Sequence, residues 1–188
     1  GYFFTTFEEA DRILKLAKTS ADKAIQQAKL AKEPVDENPW NKARISTVPL
    51  DFAVTMVSNS LYNKNYFFVA PAESDIEDAL EITGKKDLAE GKVPLFYMED
   101  FTMEDPKDPS RKQSPLYFRK SELEKEFKRL NPGKELPKIL VSELFAVLLE
   151  MVRPGGTDEE LKSLVLVPPK GSAQKAKKCL KAGGKEPP

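Results

Sequence analysis

The chain has 188 residues, 40% of them apolar and 32% charged, a composition that reads as a soluble globular protein with room for one large domain or two small ones. Thirty Lys and Arg balance thirty Asp and Glu, so global charge gives no reason to expect nucleic acid or an anionic membrane as the main partner. There is no histidine and a single cysteine, Cys179, which rules out an intramolecular disulfide, a cysteine zinc cluster and a Ser-His-Asp triad, and argues against an enzyme.

No apolar run approaches the roughly 18–20 residues that span a bilayer. The sequence opens at Gly1 with neither a basic nor an apolar leader, and is expected to be a mature form or part of a longer precursor.

Residues 1–4 (GYFF) predict a short aromatic strand. Thr5 or Thr6 can cap the helix that follows, and Glu8 and Glu9 suit its positive end. Ala10, Ile13, Leu14, Ala17, Ala21, Ala24, Ile25 and Ala28 recur at helical spacing up to about Lys32. After Leu16 this stripe is mostly alanine, so the second half of the helix is expected to stand partly free. A polar linker with Pro34, Pro39 and Trp40 leads to a predicted strand at Ile45–Pro49. Asp51 then caps a short apolar helix, Phe52–Asn59, and Tyr66–Ala70 predicts a strand. Ser74 or Asp75 caps the next helix, which Gly84 stops.

Val93–Met98 predicts a strand. Glu99–Lys112 is acidic and rich in proline, and reads as a long, mobile hairpin loop before the return strand Pro115–Phe118. Ser121 is the expected cap of a charged helix through Leu130. Ile139–Val141 predicts a strand, Ser142 the cap of an apolar helix Leu144–Val152, and Arg153–Gly156 a break. A helical turn at Asp158–Leu161 precedes the last strand, Leu164–Val167. Beyond Pro169 the chain is rich in Lys, Ala and Gly and is expected to fray, leaving Cys179 an exposed thiol.

These elements suggest one unit used twice, each copy an aromatic strand, a charged helix, an apolar strand, an apolar helix and a closing strand. Tyr2, Phe3 and Phe4 answer to Leu116, Tyr117 and Phe118, and Val69–Ala70–Pro71 to Leu166–Val167–Pro168. The predicted fold class is α/β (α+β) in two similar lobes, residues 1–84 and 85–169, with a basic tail over 170–188. In the second copy VPLFYM precedes PLYF as a hairpin partner; in the first copy nothing precedes GYFF. The edge of Tyr2, Phe3 and Phe4 is therefore expected to be completed by residues upstream of Gly1 or by another chain.

VPLFYMEDF, SPLYFRKSELEKEFKRL, ILVSELFAVLLEMV and LVLVPP, in that order, resemble the Tic twenty-two family, the small intermembrane-space subunit of the chloroplast protein-import translocon. Upstream, GYFFTTFEEADRIL, VPLDFAVTM and VAPAESDIEDALEI resemble that family's earlier segments, although the strand hairpin with which the family opens is missing here. The resemblance implies two α/β lobes with apolar grooves and no catalysis. The implied role is chaperone-like holding of precursor proteins between envelope translocons, in the chloroplast intermembrane space. The alternative is a peripheral scaffold or assembly subunit of a large plastid membrane complex, with a stromal or thylakoid location.

Catalytic, cofactor and metal sites are expected to be absent. The candidate client surface is Phe52, Val54 and Met56 on one apolar helix with Leu144, Phe145, Leu148 and Met151 on the other; for most of these, core packing competes with binding. The partners expected are precursor proteins or membrane-complex subunits, not nucleic acid. Glu99, Asp100, Glu104, Asp105 and Asp108 could attract basic segments, and Lys170, Lys175, Lys177, Lys178 and Lys181 could touch anionic headgroups; a solvated loop and a solvated tail are the competing expectations.

Overall fold

The computed structural model describes residues 1–63, 66–153 and 159–181, with the side chains at 60–63, 159–160 and 180 left aside. Its architecture is mixed α/β. β1 (Tyr2–Phe4) runs into α1 (Phe7–Leu30), and α2 (Leu50–Asn63) leads to β2 (Phe68–Ala70). α3 (Glu73–Thr83), β3 (Pro94–Met98), β4 (Met103–Asp105), β5 (Asp108–Tyr117) and α4 (Lys120–Leu130) follow. β6 (Ile139–Glu143), α5 (Leu144–Met151), α6 (Glu159–Ser163), β7 (Leu164–Val167) and α7 (Ser172–Lys181) complete the order.

The strands form two sheets. β1 and β2 pair in parallel. The larger sheet has the order β4-β5-β3-β6, with β7 parallel to β5. β3 is its centre, antiparallel to β5 on one edge and to β6 along five residue pairs on the other. Side chains alternate along a strand. Val93, Leu95 and Tyr97 therefore face one way, into a cluster with Leu116, Phe118, Val69 and Leu144. Phe96 and Met98 face the other, into a cluster with Tyr117, Ala79, Leu123 and Phe127. The helices α2 and α5 cover the first face, α3 and α4 the second. Burial on both faces explains why VPLFYM is apolar throughout rather than alternating. Both clusters draw residues from each side of position 84.

Several local expectations are corrected. Ile45–Pro49 is coil, not a strand, since no described strand pairs with it. The stretch Glu99–Lys112 is a hairpin as expected, but most of it forms paired strands, β4 against β5, rather than a mobile loop. Its turn is closed by Asp105, which accepts from the Lys107 amide at 2.8 Å, and by Asp108, which accepts from the Ser110 amide at 3.1 Å. α3 starts after Ala72 and α4 after Arg119, neither with a side-chain cap, so Ser74, Asp75 and Ser121 do not cap. Glu143 rather than Ser142 caps α5, its carboxylate accepting from the amides of Phe145 and Ala146. Thr6 does cap α1, accepting from the Glu9 amide at 3.2 Å, and Gly84 (φ +67°) ends α3 in the left-handed region. Pro154, Gly155, Gly156 and Asp158 lie outside the described residues.

The far half of α1 does not stand free, because the return segment runs along it. Asn38, nearly buried, donates to the Lys18 carbonyl and the Asp22 carboxylate and accepts from the Trp40 amide. The expected frayed tail is helical over Ser172–Lys181 and docks on the start of α1: Lys175 pairs with Glu8 at 3.2 Å and sits 4.6 Å over the Phe7 ring. Cys179 is buried, not exposed, because that helix turns it inward. The registers depart from the expected correspondence of the two copies: Phe3 pairs with Val69 and Tyr117 with Val167, where the expectation set Val69 against Leu166.

Asp75, only 3% exposed, lies in the first turn of α3. Its Oδ2, the Arg119 Nε and the Thr5 Oγ1 are buried and lack hydrogen-bond partners among the described residues. Burial pushes the Asp75 carboxyl up to about 6, against the opposing pull of the Arg119 guanidinium. The native state thus keeps a proton that the unfolded chain releases near pH 4. Its contribution to stability is greatest below that value, falls as pH rises to about 6, and stays lowered above it. Asp75→Asn is expected to add ~2 kcal/mol at pH 7 and little at pH 4, measured by urea unfolding at both values. Equal pH slopes in variant and parent would contradict this.

Candidate functional site

α5 reads LFAVLLEM, apolar all round except for Glu150. An eight-residue helix of this kind cannot bury every side. Leu144 is fully buried and Val147 and Leu148 pack on the same cluster, so they face the sheet. Phe145, Leu149 and Val152 share the next face at spacings of four and three. Phe145 is half-buried, but Leu149 is 64% and Val152 72% exposed, with Met151 also exposed beside them. α5 therefore ends in an apolar patch open to solvent.

α2 borders the same cluster through Leu50 and Val57. Phe52 is half-buried, its ring edge-on to Phe3 at 6.5 Å, and Val54 and Met56 are half-buried as well. Of the seven residues expected to form the client surface, Leu144 is core and does not belong to it. Phe52, Val54, Met56, Phe145 and Leu148 lie at its margin, and Met151 reaches solvent. Leu149 and Val152 were missing from the expected set, although helical spacing from Leu144 and Val147 turns them outward.

Glu143 holds the start of α5. It caps the helix and also pairs with Lys92 at 3.3 Å, at the point where the Leu144 amide donates to the Val93 carbonyl. The helix is thereby anchored at one end and leaves its apolar C-terminal end outward.

Two concavities accompany this patch. One, about 140 Å³, lies over β1 and β2 and is lined by Tyr2, Phe68, Pro71, Ile76 and Leu88. The Tyr2 hydroxyl donates to Glu90 at 2.9 Å across its rim, and that bond raises the Tyr2 pKa. The other, about 470 Å³, is an open groove of Ala21, Ala24, Ile25 and Ala28 against the return segment. Neither gathers nucleophile, base and oxyanion donors. Among the described residues, no group of three or more His, Cys, Asp or Glu could hold a metal ion, and no helix is long and apolar enough to cross a membrane. The acidic residues Glu99, Asp100, Glu104, Asp105 and Asp108 are divided between the hairpin arm and the turn that leads to it. Of the tail lysines, Lys175 is engaged with Glu8, while the Lys170 backbone amide donates to Glu122.

A family profile described as the Tic22-like family matches residues 6–178. Among solved structures, Tic22 from Plasmodium falciparum is similar over 98% of this chain and 83% of its own, with 19% identity and a TM-score of 0.64. Anabaena Tic22, a protein of protein transport, is similar over 91% of this chain and 78% of its own, with 18% identity and a TM-score of 0.52. At these identities the likeness is one of fold. No curated protein matches the chain.

Leu148→Ala, at a half-buried position on the core cluster, is expected to cost ~2 kcal/mol of unfolding free energy. Leu149→Ala, one residue on, should change stability by no more than ~0.5 kcal/mol. Chemical denaturation of both variants checks the orientation of α5, and a larger loss at Leu149 would reverse it.

Proposed function

This chain belongs to the Tic22-like family, and from that we propose that it works in protein transport by holding unfolded precursor segments without catalysing a reaction. The plastid, and within it the intermembrane space, is the location this reading carries. The observation behind the holding role is the outward end of α5, where Leu149, Met151 and Val152 offer apolar area with no fixed polar partner to satisfy. Such a surface binds by area and excludes water, so it tolerates many sequences. Met151 adds a side chain that adapts to different neighbours. Exposed apolar clusters of this kind mark interaction sites in folded proteins.

A peripheral scaffold role is the second reading. The β4–β5 arm favours it, because its tip projects charged residues beyond the part of β5 that pairs with β3 and β7.

Light scattering of a chemically unfolded precursor diluted into the purified chain tests the first reading. The parent chain should suppress aggregation near equal molar ratio. A Leu149→Ser, Val152→Ser double variant should lose most of that effect while unfolding within about 1 kcal/mol of the parent. Aggregation unaffected by the parent chain would reject the holding role. Crosslinks confined to one stoichiometric membrane complex would favour the scaffold.

A further inference from the structure

We propose that Asp75 and Glu8 compete for the guanidinium of Arg119, so that ionisation of Asp75 draws Arg119 off Glu8 and tightens the docking of α7, whereas acid loosens it. This coupling is independent of the holding role. It is built at the joint where the starts of α1, α3 and α4 meet the docked α7. Arg12 of α1 pairs there with Glu73 of α3 at 3.0 Å, and Arg119, the residue before α4, reaches Glu8 of α1 at 3.5 Å. Glu8 also holds Lys175 of α7 at 3.2 Å, so one carboxylate serves two cations. Asp75 lies in the first turn of α3, and Arg119 is the cation that acts on it. Two groups at this joint are left over. The buried Oδ2 of Asp75 and the buried Nε of Arg119 have no hydrogen-bond partner among the described residues.

The two leftover groups are complementary only when Asp75 is ionised. A neutral carboxyl with its proton on Oδ2 offers a donor to the donor Nε–H, which keeps them apart and leaves Arg119 to Glu8. A carboxylate offers an acceptor, and a charge-assisted bond to the guanidinium is roughly twice as strong as a neutral one. It also ends the cost of two unmet buried polar groups. The other charges that face Asp75 are already engaged. Asp78 of α3 is held by Lys120, and Glu122 of α4 accepts from the Lys170 amide; both are negative and oppose ionisation, as burial does. Arg12 is committed to Glu9 at 2.6 Å and to Glu73. Arg119, whose contact with Glu8 is the longest of these pairs, is the cation that can turn. Once it does, Lys175 has Glu8 to itself and loses a like charge beside it, and the new charge on Asp75 adds to the attraction. Both effects tighten α7. By reciprocity, a docked α7 favours the ionised carboxyl. Burial pushes Asp75 up to about 6, which sets the pH of the exchange.

Amide hydrogen exchange of the 188-residue chain, read at residues 175–179 and corrected for the intrinsic rate at each pH, is the test. In the parent, α7 should open about fivefold less at pH 7.5 than at pH 5. Asp75→Asn keeps the shape but cannot ionise, and its α7 should open equally at both values, close to the parent at pH 5. Glu8→Gln should lose most of the pH difference, because Arg119 and Lys175 then share no carboxylate. The chain has no histidine, so no imidazole titrates in this window. The contribution of Asp75 to global stability falls over the same range, so stronger protection of α7 at the higher pH is a local effect. Opening of α7 that is unchanged or greater at pH 7.5 would overturn the proposal. So would a full pH difference retained in Asp75→Asn or in Glu8→Gln.

Discussion

The structure depends on β3 being paired along both edges and covered on both faces. Leu95, Phe96 and Val93 have no exposed surface, and the strand lies between β5 and β6. A strand with two apolar faces leaves two sets of side chains to be covered, and each needs helices of its own. α3 and α4 meet the Phe96 side with Ala79, Leu123 and Phe127. α2 and α5 meet the Leu95 side, where β1 and β2 also pack through Phe3 and Val69. Removing the Phe96 side chain would open the first cluster at its centre, and no neighbouring strand could take its place.

The same dependence on pairing sorts what was readable in the sequence from what was not. β3, β6, β7, α1 and α4 carry their periodicity or apolar run locally, and reading the sequence located them to within a few residues. Ile45–Pro49 has the composition of a strand, yet strand formation requires a partner that local sequence does not display. The strand pairing within the hairpin arm was hidden for the opposite reason. Its proline and acidic residues suggest a loop, but the alternation from Met103 to Gln113 pairs once Asp105 and Asp108 close the turn. α7 illustrates tertiary override: a lysine-rich segment becomes a docked helix because Glu8 and Phe7 receive Lys175.

Caps failed as boundary markers at α4 and α5 for a common cause. Ser121 and Ser142 have suitable chemistry, but the register of the preceding strands fixes where each helix can start. β5 leads directly to Arg119, and β6 continues through Ser142 to Glu143. Glu143 then takes both the capping task and the pairing with Lys92. In the candidate site, similarly, knowing that α5 is apolar did not distinguish core from surface. The phase of the helix did, and that phase is set by the Leu144 amide bonding to the Val93 carbonyl.

An apolar helix with one end exposed is a compromise between stability and use. Burying Leu149 and Val152 would add roughly 1.5–3 kcal/mol each at the usual value of apolar area, so leaving them in water forgoes a gain that a purely structural helix would take. That cost falls beside the Leu95-side cluster, to which α2 and α5 both contribute. On the opposite face α3 and α4 are joined by Lys120 with Asp78 and Glu81, and the segment before α7 is tied to α4 by the Lys170 amide donating to Glu122. Apolar area thus remains in water at the outward end of α5, on the side of the sheet that α2 and α5 cover.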